Sequence, residues 1–82
     1  MYITYILYSR SFDKFYIGFT HDIEKRLVAH NHPKNKGFTK RFQPWEMVFY
    51  KSFESKKEAM EFEEYLKSLK SKKALIELIK DL

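Results

Sequence analysis

Residues 2–8 read YITYILY, a run of β-branched and aromatic side chains. That composition favours an extended strand. The polar stretch SRSFDK interrupts it, and FYIGF, residues 15–19, resumes the strand pattern. Two strands with so short a link predict an antiparallel hairpin. The period changes at Thr20. THDIEKRLVAHN predicts a short helix with Thr20 or Asp22 as N-cap and a buried seam at Ile23 and Leu27. HPKNKGFTKRFQP, residues 32–44, is punctuated by Pro33, Gly37 and Pro44 and reads as a loop. WEMVFYKSF, residues 45–53, reads as a third strand. Its alternation is imperfect, as expected of a strand covered on both faces. Ser55 to Glu58 form a capping box. It predicts a helix to about Leu69 with a seam at Ala59, Phe62, Leu66 and Leu69. Ser71 caps a last helix with a seam at Leu75, Leu78, Ile79 and Leu82. The order β-β-α-β-α-α predicts an α+β fold, a small three-stranded antiparallel sheet flanked by helices.

Some residues break this pattern. On a helical wheel with Ile23 at 0°, Arg26 falls at about 300° and His30 at about 340°, while Lys25 points away at about 200°. Arg26 and His30 therefore border the buried seam, and their spacing lets them meet one ligand. An arginine stem lying along the core edge and a histidine satisfied by a carbonyl account for them equally well. With Ala59 at 0°, Glu63 lies at about 40°, beside the apolar stripe, whereas Glu61 and Glu64 lie far from it. A half-buried carboxylate needs a partner: a cation such as Arg26, Lys67 or Lys70, or a metal ion. In the second strand Tyr16 and Gly18 share one face, and Phe15, Ile17 and Phe19 share the other. A strand glycine marks close approach by another backbone or a ligand. Tyr5 and Tyr16 could meet across the hairpin, as a reactive pair or as ordinary cross-strand aromatics.

The chain has 82 residues, enough for one domain with one core spanning 1–82. Eight Phe, six Tyr and one Trp supply the bulk that so small a core needs. The absence of cysteine excludes a disulfide framework and a thiolate zinc site. The apolar start is too short to span a membrane and lacks the features of a signal peptide, so a cytoplasmic protein is the expectation. The net charge of +5 suits a polyanionic partner, nucleic acid before an anionic membrane, though it also serves solubility. Lys34, Lys36, Lys40 and Arg41 alternate with Phe38, Phe42 and Trp45 in the loop, a mixture suited to phosphates and exposed bases.

The ordered set of Tyr5, Tyr16-Ile17-Gly18, Arg26, His30, Glu63 and Lys67 resembles the GIY-YIG nuclease superfamily, and in particular its small stand-alone members, which are related to the N-terminal nuclease domain of the repair excinuclease. The Tyr-Ile-Gly motif stands intact. Ile3-Thr4-Tyr5 occupies the first motif's place and keeps only its tyrosine. The asparagine that many family nucleases carry after the glutamate helix has no counterpart; Asn31 and Asn35 both precede the third strand. The resemblance implies a metal-dependent endonuclease acting on DNA, or on RNA, with preference for structure over sequence and a place in DNA repair or processing. It implies one divalent ion, Mg²⁺ or Mn²⁺, on Glu63. Arg26 would donate to the phosphate, Tyr5 would serve as general base with His30 as partner, and Tyr16 would hold the water or the phosphate. Gly18 would leave room for the scissile phosphate, and Lys40, Arg41, Lys67 and Lys70 would bind the substrate. A nucleic-acid-binding module with weak or no hydrolysis is the alternative on the same fold.

Overall fold

A computed structural model describes residues 1–35, 37–69 and 71–80. The elements follow in the order β1 (Tyr2–Ser9), β2 (Lys14–Thr20), α1 (Ile23–Asn31), a 3-10 turn η1 (Phe38–Phe42), β3 (Glu46–Phe53), α2 (Lys56–Ser68) and α3 (Lys72–Lys80). The turn η1 lies inside the stretch expected to be loop. Leu82, expected in the last seam, lies outside the described residues.

The three strands form one antiparallel sheet in the order β2-β1-β3. β1 is therefore the central strand, and Thr4, Tyr5, Ile6 and Leu7 are all buried. Its unbroken apolar run is the signature of a strand covered on both faces. β3, expected to be covered on both faces, is covered only in part. β3 lies at the sheet edge, and Tyr50 is exposed. Its alternation fails because of a bulge: Ile6 faces Phe49 and Leu7 faces Met47, so Val48 has no partner on β1. One extra residue in a strand turns two successive side chains the same way. Val48 and Phe49 accordingly join one core cluster, and Met47 joins the other.

Those clusters lie on opposite faces of the sheet. On one, Ile6, Phe15, Ile17, Val48 and Phe49 pack against Phe62 and Leu66 of α2, Leu69 at its C-cap, and Leu75, Leu78 and Ile79 of α3. On the other, Tyr5, Leu7, Tyr16 and Met47 pack against Trp45, Ile23 and Leu27 of α1, and Phe42 of η1. Truncating Leu66, almost fully buried, to alanine should cost about 2–5 kcal/mol through lost transfer energy and the cavity left behind.

Polar contacts set the positions of the helices. The Asp22 side chain caps α1 by accepting from the Lys25 amide at 3.1 Å. Thr20 supports that cap by accepting from the Asp22 amide. Ser55 caps α2 by accepting from the Glu58 amide, and its hydroxyl donates to the Glu58 carboxylate. The hydroxyl of Thr4 crosses to α2 and donates to the Ala59 carbonyl at 2.8 Å. At the C-terminal end of α1, Gln43 donates to the His30 and His32 carbonyls, which lack partners within the helix. Asn31 holds Trp45 twice, donating to its carbonyl and accepting from its amide. The segment after α1 is thereby folded back over the helix end.

Candidate functional site

Both tyrosines stand on the α1 side of the sheet because their strand positions share one face. Tyr5 lies opposite Gly18 on β2, while Tyr16 lies opposite Leu7. The two rings are thus diagonal neighbours, with centroids 6.4 Å apart, and not a directly opposed pair. This register explains the glycine. A Cβ at Gly18 would stand 2.7 Å from Tyr5 Oη and 3.0 Å from Tyr5 Cζ. The room left by Gly18 is taken up by the Tyr5 phenol, which lies across the strand. An open cavity, which Gly18 also lines, lies alongside.

That cavity, about 460 Å³, opens at the β2 edge between α1 and α2. Tyr5, Tyr16 and Gly18 of the sheet, Arg26 of α1 and Glu63 of α2 all line it. Five of the residues singled out in the sequence therefore share one basin. His30 does not reach its wall. It lines a smaller adjoining cavity of about 220 Å³, which shares Tyr16 and Arg26 with the larger one. His30 is buried and meets the larger cavity through Tyr5: its Nε2 lies 2.9 Å from Tyr5 Oη. The imidazole also packs edge-on against Tyr16, with centroids 4.8 Å apart.

The environment sets the charge states. Burial pushes the Tyr5 phenol well above its ordinary value; neighbouring Tyr16 and Glu63 reinforce this, and Arg26 opposes it. Burial also pushes His30 below its ordinary value, with the Arg26 charge acting the same way. Both groups are held neutral near pH 7. Glu63 keeps a side-chain exposure of 17% and pairs with Lys67 one turn along α2, Nζ to Oε1 at 3.3 Å. Among the described residues, Lys67 is the cation that pairs with this carboxylate.

The remaining expected substrate contacts among the described residues fall outside the basin. Lys40 and Arg41 are exposed on η1, and Arg41 stacks over Phe42. Lys67 lines a groove further along the β2 edge with Lys14 and Lys72. Lys70 lies outside the described residues. In their place the cavity gains Lys56, Tyr2, Thr20 and His21. Lys56 carried a signal: it opens α2, where the helix dipole disfavours a cation, so a lysine there needs another use. Asn31 and Asn35 are both bound to the segment around α1, and neither supplies an amide to the larger cavity.

Among the described residues no group of three or more metal-ligating side chains comes together. Among the described residues Glu63 is the one carboxylate of the cavity wall. Such a site fits a hydrated cation held by one carboxylate and by its substrate, the habit of Mg²⁺, and does not fit a closed protein cage.

A model of the GIY-YIG catalytic domain matches residues 1–75. The chain belongs to the GIY-YIG family. Its relatives include the UPF0213 protein YazA of Bacillus subtilis, 43% identical over 74% of this chain and 62% of that protein. The chain thus spans less than two thirds of that relative's length. The UPF0213 protein YsiG of Lactococcus lactis is 38% identical over 98% of this chain and 76% of its own length. The solution NMR structure of a UPF0213 protein from Bacillus halodurans has the same fold, with a TM-score of 0.60 and 31% identity. The match covers 98% of this chain and 84% of that one. This GIY-YIG domain has its motif tyrosines on neighbouring strands and the motif arginine above them, and none of its described helices is long and apolar enough to cross a membrane.

Proposed function

We propose that the cavity is the active site of a metal-dependent endonuclease that hydrolyses DNA phosphodiester bonds, selecting its substrate by structure. The observation that carries this reading is the convergence of Tyr5, Tyr16, Arg26 and Glu63 on one open basin from four different elements. A core arginine or an ordinary ion pair has no need of that arrangement.

Hydrolysis needs a water oxygen to bond to phosphorus, an ester oxygen to leave, and a proton to move from one to the other. Arg26, exposed at the cavity rim, donates to the non-bridging oxygens as their charge grows. Lys56 adds positive charge from the start of α2. Glu63 would hold Mg²⁺ or Mn²⁺, which when bound polarises the phosphate and steadies the leaving oxygen. Its present partner, Lys67, sits on a flexible stem and can swing aside. The base role expected of Tyr5 fits poorly, since burial opposes its phenolate. Tyr16, half-buried on the same wall, is the phenol better placed to orient the water.

The test is nicking of supercoiled and branched DNA with Mg²⁺ or Mn²⁺. Arg26→Ala should slow cleavage by about 10²–10³-fold, the usual cost of one lost charge-stabilising donor. Glu63→Ala and Tyr16→Phe should also be impaired. Equal behaviour of the wild type and all three variants overturns the reading. The Glu63–Lys67 pair favours a second possibility, a binding module whose carboxylate is already neutralised. Salt-dependent DNA binding without cleavage would establish it.

A further inference from the structure

We propose that Asn35 and Thr39 are positioning residues: they set the tautomer of His30 and thereby turn the Tyr5 hydroxyl hydrogen into the cavity. Neither residue belongs to the motif set, and both come from the segment between α1 and β3.

The donor and acceptor roles are assigned in order along this run of contacts. Asn35 Oδ1 accepts from the Gly37 amide at 2.8 Å, and an amide N–H can only donate. The other terminal atom of Asn35 is therefore its NH₂ group. Its 3.1 Å contact with the His30 carbonyl, which can only accept, agrees. That NH₂ also lies 2.7 Å from Thr39 Oγ1 and donates to it. Thr39 is buried, and its oxygen has one other partner among the described residues, His30 Nδ1 at 2.9 Å. If Nδ1 carried the proton, the Thr39 hydroxyl hydrogen would have no protein acceptor among the described residues and would have to turn into the small cavity that Thr39 lines. Donation from the hydroxyl to Nδ1 gives that hydrogen a protein acceptor, and it places the ring proton on Nε2.

Nε2–H then donates to Tyr5 Oη across 2.9 Å. The phenol's own hydrogen needs another acceptor, and the open side of Tyr5 is the cavity. Four donations thus run in one direction, from Asn35 to Thr39 to His30 to Tyr5 and outward. The upward shift of the phenol and the downward shift of the imidazole are consistent with both groups staying neutral in this chain. In this arrangement Tyr5 offers a hydrogen bond to an anionic oxygen, such as one on a phosphate ester, and does not act as a base. That consequence rests on the nuclease reading; the tautomer does not.

Long-range ¹H–¹⁵N correlation of the histidine rings decides the point at neutral pH. His30→Gln assigns the His30 signals among the chain's three histidines. The expected result is a proton on Nε2 and a bare, strongly downfield Nδ1. A proton on Nδ1 overturns the proposal, and the wild-type spectrum suffices for this even if no variant folds. Thr39→Val should move the proton toward Nδ1, and Thr39→Ser should restore the wild-type pattern. A Thr39→Val spectrum identical to wild type overturns the role of Thr39. Nicking by Thr39→Val should fall by roughly tenfold or more, as when an orienting partner is removed, with recovery in Thr39→Ser. An Nε2–H spectrum from a protein that never cleaves DNA supports the tautomer while defeating the nuclease reading, so the two fail separately.

Discussion

At Gly18 the sheet has no spare volume. Gly18→Ala would place a methyl within 2.7 Å of Tyr5 Oη and 3.3 Å of Tyr16 Cε1. The Tyr5 ring has to move, and its bond to His30 goes with it. Thermal melts of Gly18→Ala should show a loss of about 1–3 kcal/mol, the usual cost of overpacking. Disturbed ring resonances of Tyr5 and His30 should accompany it. His30 also makes stability depend on pH. Its protonation is suppressed in the folded state, relative to an ordinary value of 6.5. Below that value the unfolded chain takes up a proton more readily than the folded one, which favours unfolding. Stability should be at its plateau above pH 6.5 and decline as pH falls from there through the lower folded value. Urea midpoints measured across this range should show the decline in wild type, and a weaker one in His30→Gln. The sequence marked Arg26, His30 and Glu63 because each borders an apolar stripe on its helix, Tyr16 because it shares a strand face with Gly18, and Tyr5 because it can meet Tyr16 across the hairpin. Thr39 and Asn35 leave no such trace. They lie in an aperiodic segment, and their role depends on a chain reversal that Gln43 and Asn31 hold in place.

Among the described residues, one side-chain hydrogen bond ties α2 to the central strand. Thr4 donates to the Ala59 carbonyl, the group that regular helical geometry also pairs with the Glu63 amide one turn on. The position of Glu63 along the cavity wall is thereby tied to β1. Thr4→Val keeps the shape of the side chain and removes its donor. It should cost about 1 kcal/mol in stability. Its effect on nicking should exceed what that loss explains, because the carboxylate loses its register; comparing activity with melting temperature checks this. The strands were legible in outline and misread in rank. An edge strand with a bulge and a strand buried on both faces each break strict alternation, so the pattern of β3 admitted either cause. Only the pairing of Leu7 with Met47, which skips Val48, separates them.

For the molecule as a whole, the positive charge is divided between the cavity and the surface of η1. Arg26 and Lys56 face the cavity, while Lys40 and Arg41 lie on η1 away from it. The paired substitution Lys40→Gln and Arg41→Gln should lower the salt slope of DNA binding by about 1–2. The cleavage rate at saturating DNA should be unchanged. Titrations at several salt concentrations, with single-turnover nicking alongside, test both halves. An unchanged slope would remove η1 from the nucleic-acid contact. The strand order also bears on the route by which the chain folds. β1 meets β2 through a short turn, but it meets β3 only after α1 and the whole segment behind it have been brought round. Closing a long loop before its contacts form is slow, so the hairpin should organise first and β3 should dock late. Conservative truncations should then give higher φ-values at Ile6 and Ile17 than at Met47 and Phe49. The wall carrying both motif tyrosines would take shape early in folding, before the helix that carries the acid arrives.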